Sequence, residues 1–270
     1  MDFGDITTRG LVILGCGKMG SAMLQGWLAG GLAPQSVWIL DPAPSDWLGA
    51  QGVHLNKGVP EAPAMVIVAV KPQMMGEALP AIQALGDGET VFLSIAAGTT
   101  IARFEEALGS ATPIVRAMPN TPAAIGRGIS AVIGNAHVSE EHLGLAERLL
   151  QAVGQTVRLS DEADMDAVTA VSGSGPAYVF HLIETLAAAG EAEGLTPDLA
   201  MALAKATVAG AGALAEASDE GPGQLRVNVT SPGGTTAAAL EVLMDEDRGF
   251  PDLLRRAVAA AANRGRELGE

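Results

Sequence analysis

The chain has 270 residues, 48% of them hydrophobic, 3% aromatic and 17% charged, which is enough to bury a substantial core in one large domain or two ordinary ones. Its 31 acidic residues against 16 basic give a formal charge of −15, which disfavours nucleic acid or an anionic membrane surface as partner. The single cysteine, Cys16, excludes an internal disulfide and fits the reducing cytoplasm, the location expected for this chain.

The opening MDFGDITTRG lacks the basic-then-apolar pattern of a secretion signal, and no apolar run is expected to reach the ~20 residues of a membrane span. Over the first 160 residues, short β-type runs alternate with helical patterns. The expected strands are LVIL (11–14), VWIL (37–40), MVIVAV (65–70), TVFLSI (90–95), PIVRAM (113–118), ISAVIG (129–134) and TVRLS (156–160). Several are apolar on both faces, as in a parallel sheet covered by helices on each side, so the N-terminal part is expected to be an α/β doubly wound, Rossmann-type domain. Beyond Asp161 long helical periods take over, at 176–193, 197–217, 234–245 and 250–268, several entered through a proline near the first turn (Pro176, Pro197, Pro251). The expected division is therefore 1–160 for the dinucleotide-type domain and 161–270 for an all-α domain apolar enough to pack against another copy of itself.

Chemistry-bearing motifs sit at the ends of the expected strands. Gly15-x-Gly17-x-x-Gly20 follows the first, where the glycines permit a tight turn, a close backbone approach to a pyrophosphate and close helix–strand packing. Within GCGKMG, Cys16 reads as a small turn residue, Met19 belongs to the same loop, and Lys18 either leans towards phosphate or is solvated. The second strand ends in Asp41, 21 residues past Gly20, where a carboxylate binds the ribose hydroxyls of an adenine dinucleotide. AVKP places the backbone of Ala69, Val70 and Lys71 along such a ligand, and SIAAG offers small residues, among them Ala97, for a flat ring to lie against. His54, His137, His142 and His181 have no metal-ligand spacing, and no metal is expected.

Taken together, GCGKMG, AVKP, SIAAG, MPNTP (118–122), DAVTAVSGSGPAY (166–178) and LRVNVTSPGGTT (225–236) resemble pyrroline-5-carboxylate reductase, from residue 10 to residue 268. The resemblance implies reduction of the cyclic imine Δ1-pyrroline-5-carboxylate to L-proline, the last step of proline biosynthesis, with NADPH or NADH. It also implies a homodimer built by the helical domain, with assembly into a higher oligomer left open. By the same resemblance the backbone N–H groups of Gly234, Thr235 and Thr236 grip the substrate carboxylate at a helix start. Ser231 adds a hydroxyl, Thr236 reaches the ring nitrogen as the catalytic candidate, and Glu162 lies on the substrate side. Asn56 and Asn228 correspond to cofactor contacts, and SGSGPAY lets a helix come close to the ring through absence of bulk. Other readings are a two-domain reductase of the hydroxyacid dehydrogenase kind and a dinucleotide-binding protein without turnover. The first ordinarily needs a lysine or histidine beside its carbonyl, and the C-terminal motifs offer none obvious.

Overall fold

A computed structural model describes residues 2–269. It separates into two compact units, one running to Gly173 and taking in the residues from Ala262 onward, the other spanning Ser174–Ala261. The first unit thus runs past residue 160, to the end of the turns that follow its last strand.

The first unit is built on one eight-stranded sheet of order β3-β2-β1-β4-β5-β6-β7-β8. The strands are β1 (Leu11–Leu14), β2 (Val37–Leu40), β3 (His54–Leu55), β4 (Met65–Val68), β5 (Val91–Ser94), β6 (Ile114–Met118), β7 (Gly128–Gly134) and β8 (Gly154–Arg158). All neighbours pair in parallel except β6 and β7, so the last two strands run against the rest. Strands β1 and β4 are apolar at every position because both faces are covered. Leu11 and Ile13 face one core with Met23, Leu24 and Trp27 of α1 (Lys18–Ala29) and Leu149 of α3 (Glu140–Gln151). Val12 and Leu14 face another with Ile101, Phe104 and Leu108 of α2 (Ile101–Leu108). Each large side chain fully buried there contributes roughly 1.5–3 kcal/mol. Trp27 adds direction, since its indole N–H donates to the Leu149 carbonyl (2.8 Å) and ties α1 to α3.

After β8 a turn over Met165–Val168 runs into a π-helical turn, Thr169–Gly173. The second unit holds α4 (Gly175–Ala192), α5 (Pro197–Ala217), α6 (Pro222–Asn228), α7 (Thr235–Leu243) and the first part of α8 (Phe250–Gly269). Helices α4 and α5 meet along a seam of small residues, Ala187, Ala200 and Ala204, with Ile183 and Met201 beside it. Their large apolar side chains, including Phe180, Leu186, Leu199 and Leu203, stay exposed. One expectation is corrected: α5 does reach the length and apolarity of a membrane span, with mean hydropathy 1.3. Alanine and glycine carry its apolar character on either side of Lys205, so no unbroken apolar run announces it.

Candidate active site

In the first unit, the carboxyl ends of β1, β2, β4 and β5 form one rim. The Gly15 N–H donates to the Leu40 carbonyl (2.8 Å), the Ala69 N–H to Leu14 (2.8 Å) and the Ile95 N–H to Val68 (3.1 Å). Strand order reverses at β1, between β2 and β4, which is where a doubly wound sheet opens a ligand crevice.

The glycine turn stands at that reversal. Gly15 has φ +79°, and a Cβ there would lie 2.7 Å from Val70 Cγ1, so glycine is required for both backbone and space. A Cβ on Gly20 would come within 3.2 Å of the Gly15 carbonyl, so α1 can lie close to its strand only without one. Gly17 is different: a Cβ would meet nothing within 4 Å, so the space in front of it is open. Gly17 is also the N-cap of α1, with no side chain capping the helix, so the first amides of the helix and the positive end of its dipole face that space. This cradle fits the pyrophosphate of a nicotinamide dinucleotide, with exposed Lys18 beside it. Cys16 is buried, and burial pushes its thiol up, which leaves it a packing residue rather than a thiolate.

Asp41 and Asn56 lie together, each with partners the sequence did not disclose. Asp41 Oδ2 accepts from the Cys16 N–H (2.7 Å) and Oδ1 from the Ala43 N–H (2.8 Å). Asn56, with φ +52°, pairs both ends of its amide with the Asp41 backbone, accepting from its N–H (3.0 Å) and donating to its carbonyl (2.8 Å). The carboxylate therefore braces the glycine turn. Lys71 and Ala97 are exposed on the segments after β4 and β5. Next to them a cleft of about 490 Å³ opens, lined by residues including Gln73, Met75, Thr99, Arg103 and Leu268.

Glu162 has a partner that sequence reasoning missed. Its Oε1 lies 2.6 Å from Nη1 of Arg116 on β6 and also accepts from the Ile101 N–H (2.9 Å). A charged residue inside the apolar run PIVRAM was the available signal, because a cation there requires a fixed counter-charge.

In the second unit, Ser231–Gly234 forms a turn in which the Gly234 N–H donates to the Ser231 carbonyl (3.0 Å), with Gly233 at φ +69° after Pro232. Gly234 is the N-cap of α7 and again no side chain caps the helix. The Gly234 amide is therefore spent inside the turn, and the amides of Thr235, Thr236 and Ala237 are the ones without a helical partner. Thr236 is half-buried, while Ser231 and Thr235 are exposed. Asn228 ends α6, a helix not foreseen from sequence, and is tied into its own unit, donating to Glu220 Oε2 (2.7 Å) and accepting from Gln224 Nε2 (2.8 Å).

Known proteins match along the whole chain. A family model for pyrroline-5-carboxylate reductase dimerisation matches residues 162–268, and one described as NADP oxidoreductase, coenzyme F420-dependent, matches residues 10–98. The pyrroline-5-carboxylate reductase of Pseudomonas aeruginosa is 38% identical over 98% of this chain and 98% of its own. The solved structure of the Coxiella burnetii pyrroline-5-carboxylate reductase superposes with a TM-score of 0.91 at 34% identity, covering 97% of this chain and 99% of that one. The Plasmodium falciparum pyrroline carboxylate reductase with NADP bound gives 0.84 at 29% identity, covering 98% and 99%. Helix starts without caps at Gly17 and Gly234, and relatives matched almost end to end, lead to one assignment: the chain belongs to the pyrroline-5-carboxylate reductase family.

Proposed function

We infer that the chain reduces Δ1-pyrroline-5-carboxylate to L-proline with NAD(P)H, and that two of its helix starts without a side-chain cap, those at Gly17 and Gly234, divide the work. The observation that carries the residue-level reading is this pair of amide cradles in one chain, each fitted to an anion in a protein of net charge −15. Gly15, Gly17, Lys18 and Gly20, with Cys16 and Met19 in the same turn, hold the pyrophosphate. Asp41 and Asn56 shape the ribose end, and Ala69, Val70, Lys71 and Ala97 line the remainder. When bound, the nicotinamide supplies the two electrons and the hydrogen that reduce the C=N bond.

The amides of Thr235 and Thr236 hold the substrate carboxylate at the favourable end of α7, with the Ser231 hydroxyl alongside. The Thr236 hydroxyl orients the ring nitrogen. A protonated cyclic imine already carries the charge that reduction neutralises, so the protein's contribution is positioning and no strong acid is needed. Asn228 acts through its network with Glu220 and Gln224, shaping the segment that leads into the SPGG turn. Glu162 stands apart from this set, its Oε1 being committed to Arg116 and Ile101.

The exposed apolar faces of α4 and α5 are covered by a second copy, giving a homodimer; the dimerisation match from residue 162 supports both this and a functional division near residue 160. A cytoplasmic location is proposed on the single buried thiol. The test offers the purified chain NADH or NADPH with pyrroline-5-carboxylate or, in parallel, a 2-keto acid. Turnover confined to the imine is expected, whereas turnover of the acid would place the chain with the hydroxyacid dehydrogenases.

A further inference from the structure

The Arg116 side chain is only 5% exposed and shares the face of β6 with Ile114, towards the core formed by Val68, Phe92, Ile101 and Phe104. A guanidinium does not give up its proton, so burial there demands a fixed counter-charge. Glu162 supplies it at 2.6 Å. The same oxygen accepts from the Ile101 N–H at 2.9 Å, which places a carboxylate on the positive end of α2. Ile101 follows directly on the 95–100 loop. That loop is fixed at entry by the Ile95 N–H on the Val68 carbonyl and the Ala96 N–H on Ser94 Oγ. Its exit is fixed by Thr100, which caps α2 by accepting from the Arg103 N–H, and by Glu162. Exposed Ala97 sits between the two anchors.

We propose that Glu162 is a positioning residue: through Arg116 and the Ile101 amide it holds the 95–100 loop where the nicotinamide half of the dinucleotide lies. This rests on the dinucleotide reading of the first unit. Removing the carboxylate strands a buried cation and a helix amide together, so the loop loses its downstream anchor while the glycine turn, on the other side of β4, keeps its own bonds.

The experiment measures Kd by calorimetric titration of the full chain with NADH and with ADP-ribose, which lacks the nicotinamide, and KM for the imine. Binding of both ligands by the unmodified chain checks the dinucleotide reading; no binding sinks that reading and the inference with it. In Glu162→Ala, NADH binding weakens tenfold or more while ADP-ribose binding changes less than threefold. Glu162→Gln, whose amide oxygen can still accept but which carries no counter-charge for Arg116, recovers only part of the loss. If Glu162→Ala does not fold, Glu162→Asp, which keeps the charge but withdraws the oxygen by one methylene, carries the same comparison. Equal weakening of NADH and ADP-ribose would mean general structural damage. A rise confined to the imine KM would mean direct substrate contact. Either result overturns the proposal.

Discussion

Replacing Gly17 by alanine separates ligand binding from stability, and Gly15→Ala is its control. Gly17 has φ −70° and ψ −156°, backbone that any residue adopts, and the added methyl meets no protein atom within 4 Å. Alanine is the poorer N-cap by roughly 0.5–1 kcal/mol. Reduced freedom of the unfolded chain returns about 0.4–1 kcal/mol. The two nearly cancel, so Tm should move by no more than ~2–4 °C. The methyl nevertheless stands in the open space before the α1 amides and holds a pyrophosphate off them. Losing charge-assisted hydrogen bonds of about 1.5–3 kcal/mol corresponds to a 10- to 150-fold rise in the Kd for NADH. Gly15→Ala reverses the pattern. Its φ of +79° costs an L-residue roughly 1–2 kcal/mol, and overlap with Val70 Cγ1 adds about 1–3 kcal/mol, so Tm should fall by roughly 5 °C or more. Thermal melting and titration with NADH read both effects. Wild-type NADH affinity in Gly17→Ala would refute the assignment of this turn to the pyrophosphate.

Thr236→Ala should keep fold and dinucleotide affinity but lower kcat/KM for the imine by about 10- to 100-fold, the loss of one or two oriented hydrogen bonds; unchanged turnover would remove Thr236 from the site. Steady-state kinetics should give kcat/KM for NADH at least equal to that for NADPH. Because Asp41 also braces the Cys16 amide, Asp41→Ser should weaken both cofactors while shifting their ratio towards NADPH by about 1 kcal/mol or more. A tenfold wild-type preference for NADPH, unaltered by the substitution, would show that Asp41 does not read the ribose. Light scattering at micromolar concentration should find a dimer, and monomers would contradict the role given to α4 and α5. The Arg158 hydrogen bond holds Glu147 below the usual carboxylate range. Its stabilisation is therefore present above the unfolded pKa and lost as pH falls through the folded one. Glu147→Gln should lower Tm at pH 7 and approach wild type at pH 3; an equal deficit at both would refute the linkage.

The fold was legible where a single physical demand sets the residues. LVIL and VWIL are strands residue for residue, the first because both of its faces are buried and the second because Val37 and Ile39 are buried on one face while Trp38 and Leu40 are half-buried on the other. MVIVAV stops at Val68 instead of residue 70, with the Ala69 amide still bonded to Leu14 of β1. His54–Leu55 is too short to show a period, and the reversed direction of β7 cannot be read from apolar content, which is similar either way. Helix α6 announced itself only by Pro222, the same signal as Pro176 and Pro197, and was masked by the glycines on both sides. In SGSGPAY the need for small residues is real at Gly173, where a Cβ would sit 2.5 Å from Met118 Cε, but Gly175 meets nothing. The candidate site was legible in its backbone parts, the glycine turn and the SPGG helix start, because such turns carry local residue signatures. Its long-range pairs were not: Asp41 with Cys16 spans 25 residues and Glu162 with Arg116 spans 46, and no local pattern encodes either.

The most direct test of the central claim couples NADH or NADPH oxidation to chiral analysis of the product. On addition of pyrroline-5-carboxylate, the chain should form one L-proline for each dinucleotide oxidised, abolished together with dinucleotide binding in Gly17→Val. Dinucleotide that binds without oxidation when the imine is added would contradict the account.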